Sequence, residues 1–323
     1  MENARSREGE SIGNYRLVRA IGRGSTGTVY IGEHAMIGQR VAIKVLHDDL
    51  ARDGEVVRRM FVEARAASAV KHDNIVDVLD FGERRDDDGH RIIHITMPLY
   101  SGESLSARLA RGPLSLDEAA HIVDQAARAL SACHAAGVIH RDITPDHIFL
   151  TRRGCDRRFV KLLDFGAARQ KTVSMQITQP GALVGTPEYM APEQCAARPV
   201  DGRADVYALG IVLYQMLTGR LPFSKWSAAE TIAAQLDEPP PPPSRYRPIP
   251  AEVEAVILRC LQKAPDARFP SMDAFRAALR VAITRSEQPR VKPERRHRRA
   301  LIFALVGAAV GAVASCALLL NHI

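Results

Sequence analysis

The chain has 323 residues, which is long enough to bury a substantial core and to form about two domains. Its formal charge at pH 7 is +7. Its five cysteines are scattered, odd in number and never spaced as C-x-x-C, which argues against a disulfide framework and against a zinc site. The positive charge is concentrated in residues 285–299, which hold seven Lys or Arg against two acids directly before an apolar run. We therefore expect no nucleic-acid partner.

The N-terminal third predicts strands interrupted by a glycine-rich loop. Residues 1–14 are polar and lack an apolar h-region, so no signal peptide is predicted. A β pattern follows over residues 15–45, and Gly22, Gly24 and Gly27 let its loop turn sharply and approach a phosphate. A G-x-G-x-x-G pattern also opens dinucleotide-binding folds, but here T-V-Y-I continues as a strand where those folds need a helix.

Four further elements are predicted between the glycine-rich region and the H-R-D motif. Residues 53–69 have helical periodicity, and Glu63 lies at the edge of the apolar face, where an anion needs a partner. Residues 72–82 and 91–97 read as two strands. Residues 115–136 predict a helix with a capping box formed by Ser115 and Glu118, closed by Gly137.

Two short apolar runs are each followed by an aspartate at the start of a predicted turn. These are Asp142 in V-I-H-R-D and Asp164 in F-V-K-L-L-D-F-G. A carboxylate presented in this way can serve as a base or bind a hard cation, although either turn alone is also an ordinary surface turn. The order of motifs is more specific: a glycine loop, V-A-I-K ending at Lys44, H-R-D, D-F-G and A-P-E at residues 191–193. The chain resembles the bacterial Hanks-type serine/threonine protein kinases over roughly residues 15–283.

This resemblance implies an α+β, two-lobed protein kinase fold, with a β-rich N-lobe over residues 15–97 and a helical C-lobe over residues 101–283. It implies that Lys44 pairs with Glu63 and faces the α and β phosphates of ATP, that Asp142 accepts the proton of a Ser or Thr hydroxyl on a protein substrate, and that Asp164 holds Mg²⁺. The residues expected around ATP are Ile21, Gly22, Gly24, Gly27, Val29, Ala42, Lys44, Pro98, Tyr100 and Phe149. Of these, Pro98 and Tyr100 would offer a backbone carbonyl and a backbone N–H to the adenine.

Two residues depart from the H-R-D-x-K-P-x-N pattern of the family: Thr144 replaces the lysine and His147 replaces the asparagine. Loss of one well-placed electrostatic donor costs on the order of 10² to 10³ in rate, and Asp146 occupies the position where tyrosine kinases supply an arginine. His147 puts an imidazole nitrogen at a metal position, which Mn²⁺ tolerates better than Mg²⁺. The sequence therefore predicts a slow kinase with a Mn²⁺ preference and leaves an ATP-binding pseudokinase as the alternative. A kinase of small molecules is disfavoured by the A-P-E segment.

In the activation segment, Thr172, Ser174 and Thr178 are candidate phosphorylation sites, and a phosphate on Thr178 is expected to pair with Arg141. Thr186 is expected to reach towards Asp142.

Further along, residues 205–217 predict a core helix capped by Asp205, and helices are predicted at 228–236 and 251–261. The prolines at 239–243 favour a connector between those helices over a ligand for proline-reading domains. The resemblance implies that Arg268 pairs with Glu193. His121 and His134 are expected to pack or to lie at the surface rather than to bind a ligand.

The C-terminal tail predicts a membrane anchor. After a basic linker at residues 284–299, residues 300–320 contain no charge and would span ~31 Å as a helix, close to the ~30 Å hydrocarbon core. The R-R-H-R-R cluster favours a single-pass cell-membrane protein with its kinase domain in the cytoplasm. Gly307 and Gly311 form a G-x-x-x-G step that suits a homodimer, although such a step arises easily in an Ala/Gly-rich segment.

Overall fold

The structure is a computed structural model that describes residues 6–24, 26–86, 89–164 and 187–287, without the side chains of residues 59, 63, 66 and 67. It separates into two compact units, Met1–Arg285 and Ser286–Ile323, and the fold described below is that of the first unit.

The N-terminal lobe is an antiparallel sheet of six strands in the order β1-β2-β3-β4-β6-β5. The strands are β1 Ser11–Ile12, β2 Tyr15–Arg23, β3 Gly27–His34, β4 Arg40–Leu46, β5 Asp80–Arg85 and β6 Arg91–Pro98. Helices α1 (Asp48–Arg52) and α2 (Gly54–Ala69) cover one face, where Val56, Val57 and Met60 pack against Leu46 and Ile93. Gly27 is required here, because a Cβ at this position would overlap the Val45 carbonyl of the neighbouring strand.

The polar N-terminal segment contributes to this lobe. Strand β1 pairs with β2, and Ile12 is buried in the sheet's second apolar cluster. Arg7 is also buried, and its guanidinium donates to Glu10 (3.2 Å) and Asp48 (3.1 Å). The sheet therefore begins before Tyr15, where the apolar alternation of the sequence begins.

The strand predicted at residues 72–82 begins only at Asp80. Residues 74–76 leave the N-terminal sheet and bond to Leu162 through Asn74 O and Val76 N. The Asn74 side chain donates to the Val160 carbonyl (2.8 Å), and Ile75 is buried in the main core of the C-terminal lobe. The apolar residues of this segment therefore tie one lobe to the other.

The C-terminal lobe is mainly helical, around a central helix at Arg203–Thr218 in which all but two residues are buried. It also carries a three-stranded sheet, β7 Gly102–Ser104, β8 Ile148–Arg153 and β9 Asp156–Leu162. The helices are α3 Leu105–Leu109, α4 Leu116–Ala135, α5 Pro192–Cys195, α6 Arg203–Thr218, α7 Ala228–Asp237, α8 Ala251–Cys260 and α9 Met272–Glu287. The proline run at 239–243 lies between α7 and α8, as expected for a connector.

Two predicted helix starts differ in detail. Ser115 Oγ accepts from the Glu118 N–H at 3.2 Å, but the Glu118 carboxylate bonds to Arg108 rather than returning to Ser115, so only half of the capping box forms. The central helix begins at Arg203, so Asp205 lies inside its first turn and is not the cap. Among the residues described, no helix combines the length and apolar character needed to cross a membrane; residues 300–320, and with them Gly307 and Gly311, lie outside those residues.

Candidate active site

The carboxylate of Asp205, which is completely buried, accepts hydrogen bonds from the catalytic loop. Its Oδ2 accepts from His134 Nε2 (2.7 Å) and from the His140 backbone N–H (2.9 Å), and its Oδ1 accepts from the Arg141 N–H (2.8 Å). Arg141 has φ 65°, a conformation that costs a non-glycine residue on the order of 1–3 kcal/mol. The central helix thus fixes the strained backbone immediately before Asp142. His134 packs, as expected, but does so within this network.

His140 connects the two aspartate-bearing turns. Its ring is fully buried, and its Nε2 lies 3.0 Å from the Leu163 carbonyl, directly before Asp164. Burial lowers the pKa of His140, so the ring stays neutral and donates to that carbonyl. Asp164 also has positive φ, 50°, which Asp tolerates better than most residues. One network therefore sets the backbone of both aspartate-bearing turns.

Lys44 and Asp164 meet across the cleft. Lys44 is buried on β4, and its Nζ lies 2.9 Å from Asp164 Oδ2. Burial by itself would raise the pKa of the Asp164 carboxyl, but the charge of Lys44 and the hydrogen bond that Lys44 donates outweigh it and lower this pKa to about 2. Asp164 is therefore an anion across the physiological pH range. The Lys44–Glu63 pair stays a prediction, because Glu63 lies on α2 but its side chain is outside the described part of the structure.

His147 stands between the two aspartates. Its Nδ1 lies 2.7 Å from the Asp142 carbonyl and 3.4 Å from Asp142 Oδ2, and its Nε2 lies 4.0 Å from Asp164 Oδ2. Thr144 is 3% exposed, and its Oγ1 lies 3.3 Å from the same Nδ1. The residue that replaces the expected lysine is therefore buried against the residue that replaces the expected asparagine.

A divalent cation fits beside Asp164 if it completes its ligand shell with phosphate and water oxygens, as nucleotide-bound metals commonly do. In the described ranges no cluster of three or more His, Cys, Asp or Glu side chains could hold a metal by itself. Asp164 and His147 are the protein donors that the fold brings together there.

The residues expected around the adenine lie on the strands that border the cleft. Ala42 on β4 pairs with Met97, and Val41 pairs with Pro98, so the hinge continues directly from β6. Phe149 lies on β8 and Val29 on β3, while Ile21 is 41% exposed on β2. A Cβ on Gly22 would meet nothing within 4 Å, and one on Gly24 would only touch the Gly27 carbonyl. This leaves open space above the loop for a ligand.

The hinge is also tied to the C-terminal lobe. Lys161 Nζ lies 5.0 Å from the centre of the Tyr100 ring and donates to the Ile75 carbonyl at 3.0 Å. The site further rests on the predicted pair of Arg268 and Glu193, which is buried and bidentate with both N–O distances at 2.7 Å. The activation-segment residues Thr172, Ser174, Thr178 and Thr186 lie outside the described residues.

Comparison with known families gives a direct match: the protein kinase domain family aligns with residues 15–279. The chain belongs to the protein kinase family. This kinase domain is 48% identical over 276 residues to the serine/threonine-protein kinase Pkn1 of Myxococcus xanthus, with 85% of this chain covered, and 39% identical over 289 residues to PknE of Mycobacterium bovis, with 89% covered. The chain spans 39% of Pkn1 and 49% of PknE.

A solved structure has the same fold. The crystal structure of the PknI kinase domain of Mycobacterium tuberculosis superposes with a TM-score of 0.67 at 30% identity, covering 86% of this chain and 98% of that one. The two-lobed architecture expected from the motifs is thereby confirmed.

The sequence interpretation missed the role of Asp205. The D-V-Y-A-L-G motif is visible in the sequence, but an aspartate at the start of an apolar run predicts a helix cap. Only the fold shows that its carboxylate faces His134 and the H-R-D backbone, which lie 64 to 71 residues away in the chain.

Proposed function

We propose that the chain is a serine/threonine protein kinase that transfers the γ-phosphoryl group of ATP to hydroxyls of protein substrates. The observation that carries this proposal is the network from Asp205 through His140, which holds Asp142 and Asp164 in position opposite Lys44. The relatives are named serine/threonine-protein kinases, which supports the same substrate class.

Each described residue of the site has a role in the proposed phosphoryl transfer. Asp142 orients the substrate hydroxyl and accepts its proton, and Lys44 leaves Asp164 for the phosphates when nucleotide binds. Asp164 and His147 would hold the divalent cation, Mg²⁺ or Mn²⁺, which would supply positive charge opposite the phosphates. Thr144 is buried and uncharged, so the site lacks the cation expected at this position. Loss of that donor predicts a rate lower by on the order of 10² to 10³.

The second candidate function is an ATP-binding pseudokinase, which Thr144 and His147 favour. Autophosphorylation of the full chain with labelled ATP, in Mg²⁺ and separately in Mn²⁺, decides between the two. We expect incorporation that disappears in Asp142→Asn and rises in Thr144→Lys. ATP-dependent thermal stabilisation without incorporation in either metal would instead support the pseudokinase.

We further propose that residues 300–320 anchor the kinase to the cell membrane, with the kinase domain in the cytoplasm and the helices paired as a homodimer. The uncharged length of this segment and the basic cluster before it support the proposal. Membrane fractionation of the full chain against a chain ending at residue 299 tests it. Equal recovery of both in the soluble fraction would contradict the anchor.

A further inference from the structure

The chain-specific feature of the site is the imidazole that faces Asp164. We propose that Nε2 of His147 is a direct ligand of the divalent cation, so that the site selects a transition metal over Mg²⁺. This inference rests on the proposed ATP-dependent function, because the nucleotide must supply the remaining ligands.

The tautomer of His147 follows from its neighbours. Nδ1 lies 2.7 Å from the backbone carbonyl of Asp142, and a carbonyl oxygen can only accept a hydrogen bond. Nδ1 therefore carries a hydrogen, and the ring is held in place by the catalytic loop itself. Metal-binding histidines generally have this arrangement, in which one ring nitrogen donates to a carbonyl and the other is free to bind the metal.

The other nitrogen faces an oxygen anion. In the neutral ring Nε2 presents a lone pair, 4.0 Å from Asp164 Oδ2. Two metal–ligand bonds of about 2.1 Å each reach up to about 4.2 Å, so both atoms lie within reach of one cation. Lys44 contacts the same Asp164 oxygen at 2.9 Å, and a cation would take its place there when Lys44 turns to the phosphates.

The metals differ in how they respond to a nitrogen ligand. Mg²⁺ is a hard cation that keeps oxygen ligands, whereas affinity for nitrogen rises from Mn²⁺ to Co²⁺. An asparagine in place of His147 would offer an oxygen instead. The benefit of histidine over asparagine is therefore expected to be absent for Mg²⁺, present for Mn²⁺ and larger for Co²⁺. A residue that only supported the loop would change all three affinities alike.

Electron paramagnetic resonance of Mn²⁺ bound to the full chain with a non-hydrolysable ATP analogue tests this directly. Echo-modulation spectra are expected to show coupling to an imidazole nitrogen, and growth on ¹⁵N-histidine should change that coupling in the unaltered protein, without any substitution. The same spectra of His147→Asn should lack it. The matched control is His90→Asn, since His90 is a half-exposed histidine in the β5–β6 connection.

Affinities measured by competition in the same samples give the second readout. We expect His147→Asn to lower the ratio of Mn²⁺ to Mg²⁺ affinity by on the order of tenfold, to lower the Co²⁺ ratio further, and His90→Asn to change neither. Bound Mn²⁺ without nitrogen coupling, or equal changes for all three metals, would overturn the assignment of His147 while leaving the kinase proposal intact. Absence of nucleotide-dependent metal binding in the unaltered chain would overturn both.

Discussion

Replacement of Asp205 by asparagine is the sharpest test of how the site is built. In the native protein its two oxygens accept from three donors, His134 Nε2 and the N–H groups of His140 and Arg141. Asparagine keeps one oxygen, which best serves the two donors on Oδ2, and turns its NH₂ group towards the Arg141 N–H. Arg141 then loses its acceptor and faces another donor.

The cost can be worked from these contacts. A buried donor left without a partner costs about 1–3 kcal/mol, so we expect a loss of about 2 kcal/mol for one such group. For a domain of this size that corresponds to a fall in Tm of roughly 4–8 °C. Because Arg141 is held at positive φ by this bond, Asp142 should also shift, and a misplacement of about 1 Å can cost on the order of 10² in rate.

Thermal denaturation and autophosphorylation of Asp205→Asn measure the two effects, with Asp237→Asn as the matched control, because Asp237 is an exposed aspartate at the end of α7. The control should match the unaltered protein in both assays. A variant at position 205 with unchanged Tm and unchanged incorporation would refute the idea that the central helix positions the catalytic loop.

Three further predictions follow from other contacts of the described residues. Lys44→Met removes the ammonium group from Asp164 and should lower the rate of phosphate incorporation at least on the order of 10²-fold. The rate is measured beside that of Asp142→Asn. Near-native turnover would argue against the proposed contact of Lys44 with the phosphates. Arg268→Ala leaves the buried Glu193 carboxylate unpaired and should lower the free energy of unfolding in urea by about 3–5 kcal/mol. Arg268→Lys should restore only part of this stability, because lysine cannot donate two parallel hydrogen bonds to the carboxylate. Full restoration by lysine would show that charge alone matters. Burial lowers the pKa values of His72, His94 and His140, so the unfolded chain gains protons near pH 6.5 that the folded chain does not, and the free energy of unfolding should fall as pH drops below about 6.5. His94→Leu should flatten this dependence, and an equally steep curve would remove His94 from the explanation.

Most of the fold could be predicted from local patterns, because periodicity and glycine placement act over a few residues. The helix predicted at 53–69 is Gly54–Ala69, and the one at 251–261 is Ala251–Cys260. The apolar residues at 72–79 predict a strand, but the strand of the structure begins only at Asp80. The partners of this segment are Leu162 and Gln125, about 50 to 90 residues away, and no local pattern identifies them.

In the active site, too, the sequence identifies residues that belong to local motifs but not the contacts between distant residues. The motifs identify Lys44 and Asp164 one by one, but they predict Glu63 and a metal ion as the partners, so the 2.9 Å contact between Lys44 and Asp164 is a finding of the structure. The contact of Asp205 with the H-R-D segment is not predictable from the sequence, because two of its three donors are backbone N–H groups, which every residue except proline has. Glu118 shows how a local prediction can fail. Its predicted capping partner, Ser115, lies only three residues away, but the Glu118 carboxylate bonds to Arg108 of another helix instead.

The two departures from the kinase pattern are best understood as one local change. Thr144 Oγ1 and the Asp142 carbonyl lie 3.3 and 2.7 Å from the same His147 nitrogen, so residues 144 and 147 are in contact. An asparagine at 147 would offer an NH₂ group as donor and an oxygen as acceptor, whereas the histidine ring has its donor on Nδ1 and its acceptor on Nε2. In this chain the donor bonds to the Asp142 carbonyl, and the atom left for a metal is nitrogen where asparagine would offer oxygen. Because His147 bonds to the Asp142 carbonyl and contacts Thr144, the proposed kinase with altered metal use accounts for both departures together.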